Sequence, residues 1–350
     1  MSALPSARVV VADDSALMRT VLSAALTQRG IEVVAVAADG DEALARCHEH
    51  SPDVLSLDLT MPGRDGVGVL RELRDRRLQI PVVVVSAFSA AAGARAVDAL
   101  AEGAFDLVAK PTSREQVDAF AGDLVKRILL ARGAGRRRAG VGSPDEERLV
   151  QTQPSPAQSS SPGGHRVVII GCSTGGPRAL SELLPKLPPR LGDGTLVIQH
   201  MPEGFTAALA ARLDRVSQLT VSEAAAGQCL DPTRVLIAPG GKHLRVGTDG
   251  LITLTDEPAV GGLRPRADLT ISDAAAVWGQ RVLLVVLTGM GQDTLSGAAA
   301  VRKAGGRVIV EAPSSCVVHG MPRAVMEAGL ADEEVDLSSM AEAILAEVSS

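Results

Sequence analysis

Three polar residues follow predicted strands in the C-terminal half of the sequence, and their types suit acyl-transfer chemistry. Ser173 lies in the run VVIIGCSTGGP, His200 ends the strand TLVIQH, and Asp293 follows the strand RVLLVVLTG. Nucleophilic acyl transfer needs an attacking oxygen, a base that accepts its proton and a carboxylate that orients the base. These three side chains can fill the three roles if the fold brings them together.

The turn around Ser173 admits two interpretations. A serine between a buried strand and a helix that begins near Pro177 lies beside free N–H groups at the positive helix end, which suits either a bound phosphate or an oxyanion. The run lacks the GxxxxGK[ST] and full GxGxxG patterns, and no acid ends a second strand to bind a ribose. These absences favour the nucleophile, although each of the three residues could be a simple cap. The order Ser, His, Asp differs from that of the α/β-hydrolases, so their nucleophile elbow is not predicted.

A second set of polar residues follows the N-terminal strands. Asp13 and Asp14 come after the first strand, Asp58 ends the third, Ser86 ends the fourth, and Lys110 follows the fifth. In a doubly wound sheet these positions converge at the carboxyl edge, where ligands bind. Three carboxylates at one point repel unless a cation lies between them, and Mg²⁺ prefers such oxygen ligands. We therefore predict a Mg²⁺ site there, with the charge balance completed by the lysine.

The elements that must position these residues are short apolar strands alternating with segments of helical period. Five strand–helix units occupy residues 1–130, and a second set occupies residues 165–350. Between them, 131–164 is rich in Gly, Pro, Ser, Gln and charge, which predicts a flexible linker. Asp249-Gly250 predicts a β-hairpin near 244–254. The predicted strands are 8–12, 32–37, 53–57, 81–86 and 105–108, then 166–171, 195–200, 234–240, 281–289 and 307–311.

The predicted fold class is therefore α/β, with two doubly wound, mostly parallel sheets. The first domain is expected to be flavodoxin-like, and the second Rossmann-like with an added hairpin. At 350 residues the chain exceeds the usual size of a single core, which also favours two domains.

The composition excludes several classes of protein. A net charge of −6, one Trp and no Tyr offer little for phosphate attraction or base stacking, so nucleic acids are not predicted partners. The four cysteines lie far apart without zinc-site spacing, which predicts reduced thiols. Neither a signal peptide nor an apolar run of spanning length is present in the sequence, so we expect no membrane insertion and a cytoplasmic location.

Residues 8 to 130 resemble the response-regulator receiver family, on the strand-end residues given above. The resemblance implies that Asp58 accepts a phosphoryl group from a chemotaxis histidine kinase. It also implies that Asp13 and Asp14, together with Asp58, hold Mg²⁺, and that Ser86 and Lys110 sense the phosphate.

Residues 165 to about 348 resemble the CheB-type methylesterase family of chemotaxis response regulators. The matching runs, in order, are GCSTGGP, QHMPEGFT, IAPGGKHLRV, RPRAD, LTGMGQD and SCVVHGMP. The resemblance implies that Ser173 is the nucleophile, His200 the base and then acid, and Asp293 the residue that orients it. The implied reaction is hydrolysis of γ-glutamyl methyl esters on chemoreceptor helices, with deamidation of receptor glutamines, and no cofactor in this half.

Four positions depart from the patterns of these families. Leu107 stands where receivers often carry an aromatic switch residue, and Thr60 precedes the Met-Pro turn. Thr294 stands where a glycine commonly follows the acid, and His319 where an aromatic is usual. The first two departures put the aromatic switch in question but not the phosphorylation, and the last two could alter rate or receptor preference.

The two resemblances together imply a regulated hydrolase. An unphosphorylated receiver would dock over the cleft of the second domain, and phosphorylation of Asp58 would uncover it. The oxyanion is expected to bind backbone N–H groups of residues 173–175 and Met290. The sequence leaves open an esterase or amidase with another substrate, and a non-catalytic binding module that responds to phosphorylation.

Four basic or ionisable residues could also line the cleft. Lys242 and His243 follow a Pro-Gly-Gly strand end, and Arg264 and Arg266 lie in the run GGLRPRAD. They could steer an acidic receptor helix, or they could simply lie in solvated turns and pair with local acids. None of the four is predicted to be catalytic.

Overall fold

The computed structural model describes residues 6–87, 89–138 and 166–349. The N-terminal half contains, in chain order, β1 (Arg8–Ala12), α1 (Ala16–Thr27), β2 (Glu32–Ala37), α2 (Gly40–His50), β3 (Val54–Asp58), α3 (Gly66–Asp75), β4 (Val82–Ser86), α4 (Ala90–Ala101), β5 (Asp106–Ala109) and α5 (Val117–Arg138). A short 3₁₀ turn over Arg114–Gln116 precedes α5.

The C-terminal half contains β6 (Val167–Cys172), α6 (Gly176–Leu183), β7 (Gly194–Gln199), α7 (Phe205–Asp214), β8 (Thr220–Glu223), β9 (Arg234–Ile237), β10 (His243–Val246), β11 (Ile252–Thr255), α8 (Ala267–Trp278), β12 (Val282–Val286), α9 (Leu295–Lys303), β13 (Arg307–Glu311), α10 (Met321–Glu327), β14 (Glu333–Val335) and α11 (Met340–Ser349). Two further 3₁₀ turns cover Leu184–Lys186 and Gly279–Arg281.

The strands form two parallel sheets, which confirms the predicted fold class. The first sheet has the order β2-β1-β3-β4-β5, and the second has the order β14-β13-β12-β6-β7-β9-β8. The hairpin predicted near 244–254 is also present, because β10 and β11 pair antiparallel with His243 opposite Thr255. In the second sheet β6 lies between β12 and β7, so the carboxyl ends of these three strands are neighbours.

Local sequence explains why these elements form where they do. The strands VLSLD and VVVVS are buried along their whole length, as expected for parallel strands covered on both faces. Four helices of the first half begin at a side chain that caps a backbone N–H three residues on. These caps are Ser15, Asp39, Asp65 and Ser89.

Two strands of the second sheet and one helix end differ from the prediction. β8 and β14 were not predicted, because they are short, partly exposed and, in the EEV of β14, rich in charge. α5 continues to Arg138, so the segment predicted as linker from 131 begins as helix. The helix persists because Ala131 is buried and Gly135 packs on Pro81, where an added Cβ would lie 2.9 Å from the proline Cγ. The rest of the predicted linker, 139–164, lies outside the described residues.

The two halves contact each other through α4 and α7. A Cβ at Gly93 would lie 3.2 Å from the carbonyl oxygen of Gly204 and 3.7 Å from the Cβ of Ala208, so the helices approach closely there. One turn further on, Asp98 and Arg212 form an ion pair of 2.5 Å across the same contact. Among the helices in the described ranges, none combines the length and the apolar character needed to cross a membrane.

Candidate active site

The structure brings the three residues predicted for acyl transfer to one edge of the second sheet. Ser173 follows β6, His200 follows β7, and Asp293 lies between β12 and α9. The strand ladder extends one residue past the strand ends on both sides of β6. The Ser173 N–H donates to the carbonyl of Thr288 at 3.1 Å, and the His200 N–H donates to that of Cys172 at 3.1 Å.

His200 and Asp293 form a buried pair. The Nε2 of His200 lies 2.6 Å from Oδ2 of Asp293, and only 7% and 1% of the two side chains are exposed. Because Nε2 faces the carboxylate, Nδ1 is the ring nitrogen left for proton transfer. The pair has the geometry expected of a base and the acid that orients it.

Asp293 is held by the start of helix α8 as well as by the histidine. Its carboxylate accepts the N–H of Ala267 at 2.7 Å and that of Asp268 at 2.9 Å. Burial pushes the pKa of this carboxyl upward, but the hydrogen bond and charge of His200 and the two N–H groups outweigh it, so the pKa lies below its ordinary value. The carboxylate therefore stays ionised at neutral pH.

Asp268 makes the reciprocal contact at the start of α9. Its carboxylate accepts the N–H of Thr294 at 3.1 Å and that of Gly297 at 2.8 Å, and it pairs with Arg266 at 2.8 Å. Asp293, which lies just before α9, thus accepts N–H groups of α8, and Asp268, in the first turn of α8, accepts N–H groups at the start of α9. Asp268 was not predicted as a site residue, although its place just after RPRA at a helix start is a capping signal.

Thr288 holds the turn that carries Ser173 in place through hydrogen bonds. The Thr288 hydroxyl donates to the carbonyl of Thr174 at 3.0 Å and accepts the N–H of Val318 at 2.9 Å. Glu311, fully buried, accepts the Thr288 N–H at 2.7 Å, and burial raises the pKa of its carboxyl. Glu311 was also missed, and its position as the last residue of the apolar strand RVIVE is the signal that could have found it.

One of the N–H groups predicted to bind an oxyanion is already used. The Ser173 N–H is bound to the Thr288 carbonyl because the β6–β12 ladder continues past the strand end. This corrects the predicted set and leaves the N–H groups of Thr174, Gly175 and Met290 as the candidates. Gly175 is the N-cap residue that precedes α6, and its φ of 83° lies in the left-handed region that favours glycine.

The N-terminal candidates also converge, at the carboxyl edge of the first sheet. The Nζ of Lys110 lies 2.7 Å from Oδ2 of Asp13 and 2.7 Å from Oδ2 of Asp58. Carboxylate oxygens of Asp13, Asp14 and Asp58 lie within 4.8 Å of one another. Ser86 ends the neighbouring strand, and its carbonyl accepts the Lys110 N–H at 2.7 Å.

The charges of this N-terminal cluster fit a hard divalent cation. Burial raises the pKa of Asp58 and outweighs the opposing hydrogen bond and charge of Lys110. Burial also lowers the pKa of Lys110, but its bonds to Asp13 and Asp58 outweigh this and raise it overall. One ammonium against three clustered carboxylates leaves excess negative charge among oxygen ligands, which is the donor set that Mg²⁺ prefers.

The basic residues suggested as cleft-lining are paired locally. Lys242 bonds Asp256 at 2.8 Å, and the guanidinium of Arg264 donates to backbone carbonyls of the same loop. His243 is fully buried, and its Nδ1 accepts the Arg266 N–H at 3.2 Å. Arg266 contacts the site directly, with its Nε 3.4 Å from the Asp293 carboxylate.

Two of the positions that depart from the family patterns have structural consequences. Thr294 has a φ of 94°, the left-handed region that favours glycine, which explains why glycine is common there. The methyl group of Thr294 has space because it packs against Gly171, which has no side chain. A Cβ at position 171 would lie only 2.5 Å from this methyl group. His319 bridges to Gly289, and burial lowers its pKa.

We expect Asp293 to stabilise the fold at neutral pH and to lose this contribution in acid. Because its folded pKa lies below the ordinary value of about 3.9, the contribution is complete above that value and disappears as the pH falls through the folded pKa. The free energy of unfolding of the wild type should exceed that of Asp293→Asn by roughly 2 kcal/mol at pH 5 and by clearly less at pH 3.

Denaturant unfolding at both pH values measures this difference. Asp249→Asn, at an exposed turn acid that accepts only the Leu251 N–H, is the control. A wild-type advantage over Asp293→Asn that is equal at pH 5 and pH 3 contradicts the expectation.

Comparison with known proteins identifies the family of both halves of the chain. A family model described as CheB methylesterase matches residues 168–344, and one described as response regulator receiver domain matches residues 9–121. A protein-glutamate methylesterase/protein-glutamine glutaminase of Symbiobacterium thermophilum is 44% identical over 349 residues, which cover 96% of each chain. A relative with the corresponding name from Myxococcus xanthus is 43% identical, with 97% of each chain covered.

A solved structure is similar to the second domain. The crystal structure of the Thermotoga maritima CheB methylesterase catalytic domain is 41% identical, with a TM-score of 0.51, and the match covers 53% of this chain and 98% of that one. These similarities confirm the resemblances drawn from the sequence. The chain belongs to the family of CheB methylesterases that carry a response regulator receiver domain.

Proposed function

We propose that this protein hydrolyses γ-glutamyl methyl esters of chemoreceptors and deamidates receptor glutamines, and that phosphorylation of Asp58 activates it. The observation that carries the hydrolytic part is the buried His200–Asp293 pair of 2.6 Å, at the strand end beside the turn of Ser173. The substrate follows from the names of the relatives, which are protein-glutamate methylesterases and protein-glutamine glutaminases.

The reaction proceeds through an acyl-enzyme. The Oγ of Ser173 attacks the ester carbonyl while Nδ1 of His200 takes its proton, and the tetrahedral oxyanion is held by the N–H groups of Thr174, Gly175 and Met290. His200 then returns the proton to the leaving oxygen, and methanol departs. A water attacks the acyl-enzyme with the same base and releases the free glutamate and the serine. With a glutamine substrate, ammonia leaves in place of methanol.

Asp293 supports both proton transfers by staying ionised. Its depressed pKa keeps a negative charge against the imidazole, so the imidazolium formed during each step is stabilised and the ring keeps one orientation. Positioned proton transfer of this kind contributes typically 10²- to 10⁴-fold to the rate.

The N-terminal cluster is the proposed phosphorylation site. Asp58 would accept the phosphoryl group of a chemotaxis histidine kinase, and Asp13, Asp14 and Asp58 would hold Mg²⁺. The cation would neutralise charge on the phosphoryl oxygens during transfer. Lys110, already 2.7 Å from the Asp58 carboxylate, would bind the phosphate on the product, and Ser86 would sense it from the neighbouring strand end.

The proposed regulation is docking of the unphosphorylated receiver against the catalytic turn. Thr174, which follows the nucleophile, donates its buried hydroxyl to the carboxylate of Asp106 on β5, and Asp106 is also paired with Arg127. β5 begins at Asp106 and is followed by Lys110, so one strand connects the phosphorylation site to the catalytic turn. A change in charge at Asp58 would weaken this docked arrangement and free the turn for substrate.

Apolar packing supports the same docking. Met290 and Val318 of the catalytic half share an apolar cluster with Phe105 and Val85 of the receiver half. The contact therefore lies beside an N–H group proposed for the oxyanion.

We also propose the cytoplasm as the compartment of this enzyme. Its four cysteines are free thiols, and two of them are buried. Free thiols suit a reducing compartment, and the proposed phosphodonor and receptor helices are cytoplasmic partners.

The role of the nucleophile is tested by Ser173→Ala. Without the attacking oxygen, release of labelled methanol from methylated receptor should fall by about 10⁴-fold or more, in the presence of a small phosphodonor and Mg²⁺. Ser181→Ala is the matched control, because that hydroxyl bonds only a carbonyl of its own helix. Turnover that survives in Ser173→Ala would rule out this mechanism, and unchanged turnover in both variants would point to a different nucleophile.

The metal site is tested by Asp14→Asn, which removes one carboxylate of the cluster. We expect the affinity for Mg²⁺, measured by titration calorimetry on the full chain, to fall about tenfold or more. Asp41→Asn should leave it unchanged, because Asp41 is exposed and pairs with Arg64 away from the cluster. Equal affinities in wild type and Asp14→Asn argue against the site.

The docking hypothesis is tested by exchanging the charges of the Asp98–Arg212 pair. Asp98→Arg places two cations together across the contact and should raise the activity of the unphosphorylated protein about two- to fivefold. Adding Arg212→Asp should restore the low activity, because the opposite charges meet again. Asp118→Arg is the control, since Asp118 is exposed and pairs with Arg29 of the receiver itself.

Two results would contradict docking as the inhibitory contact. One is an unphosphorylated Asp98→Arg protein no faster than wild type. The other is a double exchange that stays as active as the single variant.

A further inference from the structure

We propose that Gln199 is a positioning residue that holds the strand end of the nucleophile and the strand end of the base at a fixed separation. The inference rests on the proposed roles of Ser173 and His200. In this role the buried amide of Gln199 touches no substrate. It links the backbone of Ser173 to that of His200, the two residues between which a proton must move.

The side chain of Gln199 contacts both partners at once. Its Nε2 donates to the carbonyl oxygen of Ser173 at 3.0 Å and to that of His200 at 3.0 Å. Its Oε1 accepts the thiol of Cys172 at 3.1 Å. Only 2% of the residue is exposed, so water does not compete for these bonds.

An amide is the group that meets these demands. The two carbonyl oxygens each need a donor, and the thiol needs an acceptor, so a planar group with two N–H bonds and one oxygen satisfies all three. A carboxylate would face both carbonyl oxygens with no hydrogen to donate. An apolar side chain would leave the His200 carbonyl without the amide donor and the Ser173 carbonyl with the Gly176 N–H alone, so the link between the two strand ends would be lost.

The surrounding backbone leaves space for this side chain. β6 and β7 pair with Cys172 opposite Gln199, which places the amide directly beside the nucleophile strand. A Cβ at Gly176 would lie 2.0 Å from Oε1 of Gln199 and 3.0 Å from Sγ of Cys172. Gly176, the first residue of α6, therefore leaves space for the amide, and the start of the helix packs against it.

The bonds of Gln199 complete the restraint of Ser173. The serine N–H is bound to Thr288, and its carbonyl accepts both the glutamine amide and the Gly176 N–H at 2.8 Å. Both backbone groups are thus fixed, and only the rotation of the side chain remains. His200 is restrained through its ring by Asp293 and through its carbonyl by Gln199. Because misplacement of reacting groups by about 1 Å can cost 10²-fold in rate, this link should affect the chemical step.

The experiment compares Gln199→Glu and Gln199→Met with wild type in the full chain. Phosphorylated protein is assayed for kcat and KM on methylated receptor, and rates are expressed per folded molecule, with folding followed by thermal unfolding and the fluorescence of Trp278. We expect kcat to fall by on the order of 10² in both variants, with KM unchanged because the amide faces protein alone.

Thr195→Val is the matched control for a buried polar residue on the same strand. Thr195 is fully buried on β7, four residues before Gln199, and its hydroxyl has no hydrogen-bond partner among the described residues. Its kcat should equal that of wild type. Ser173→Ala is assayed alongside as the test of the nucleophile itself.

The possible results distinguish a failure of the positioning role of Gln199 from a failure of the proposed mechanism. If Ser173→Ala is inactive while a folded Gln199→Glu or Gln199→Met keeps a kcat within twofold of wild type, the positioning role is overturned and the mechanism stands. A loss fully accounted for by unfolded protein, or by a raised KM, also overturns the positioning role. If Ser173→Ala remains active, the proposed mechanism fails, and the role of Gln199 fails with it.

Discussion

The carboxylate of Asp293 at the start of α8 is the interaction on which the geometry of the active site depends. Two backbone N–H groups of the helix and one ring nitrogen of His200 all donate to it, at 2.6 to 2.9 Å. The acid therefore both caps a helix and holds the ring of His200, the proposed base. Because Asp268 caps α9 in return, the two helices fix each other, and a shift of either would move the imidazole.

This reciprocal capping needs close packing of the two helices. A Cβ at Gly297 on α9 would lie 2.7 Å from the Cβ of Ile271 on α8, so glycine is what permits the contact. The orientation of the His200 ring is thus set through Asp293 by two packed helices. Thr288 restrains the turn of Ser173 in a similar way, through bonds to the backbone of residues 173 and 174, and Glu311 holds Thr288 by accepting its N–H. Rigid elements on both sides suit chemistry that tolerates little misplacement.

The core strands and the polar residues at their ends could be predicted from the sequence. Apolar runs located the core strands, and polar residues just past them identified Ser173, His200 and the acids of the first sheet. The residues that were not predicted have roles that depend on which strands are neighbours in the sheet. Gln199 acts because β7 lies beside β6, and Glu311 because β13 lies beside β12, and spacing along the chain does not contain that order. The end of α5 was misplaced for a similar reason, since tertiary packing on Pro81 outweighs the low helix propensity of Gly135.

The short strand β5 explains how the two sites can be coupled in a receiver that has Leu107 in place of an aromatic switch residue. The strand has four residues, roughly 10 to 13 Å of chain, with Asp106 at one end and Lys110 just past the other. Leu107 is buried between them and packs as core. In the proposed regulation, a displacement of Lys110 towards a phosphate would be transmitted along this rigid segment to Asp106. Asp106 bonds Thr174 directly, so the signal would reach the residue beside the nucleophile through one hydrogen bond, without rotation of an aromatic ring.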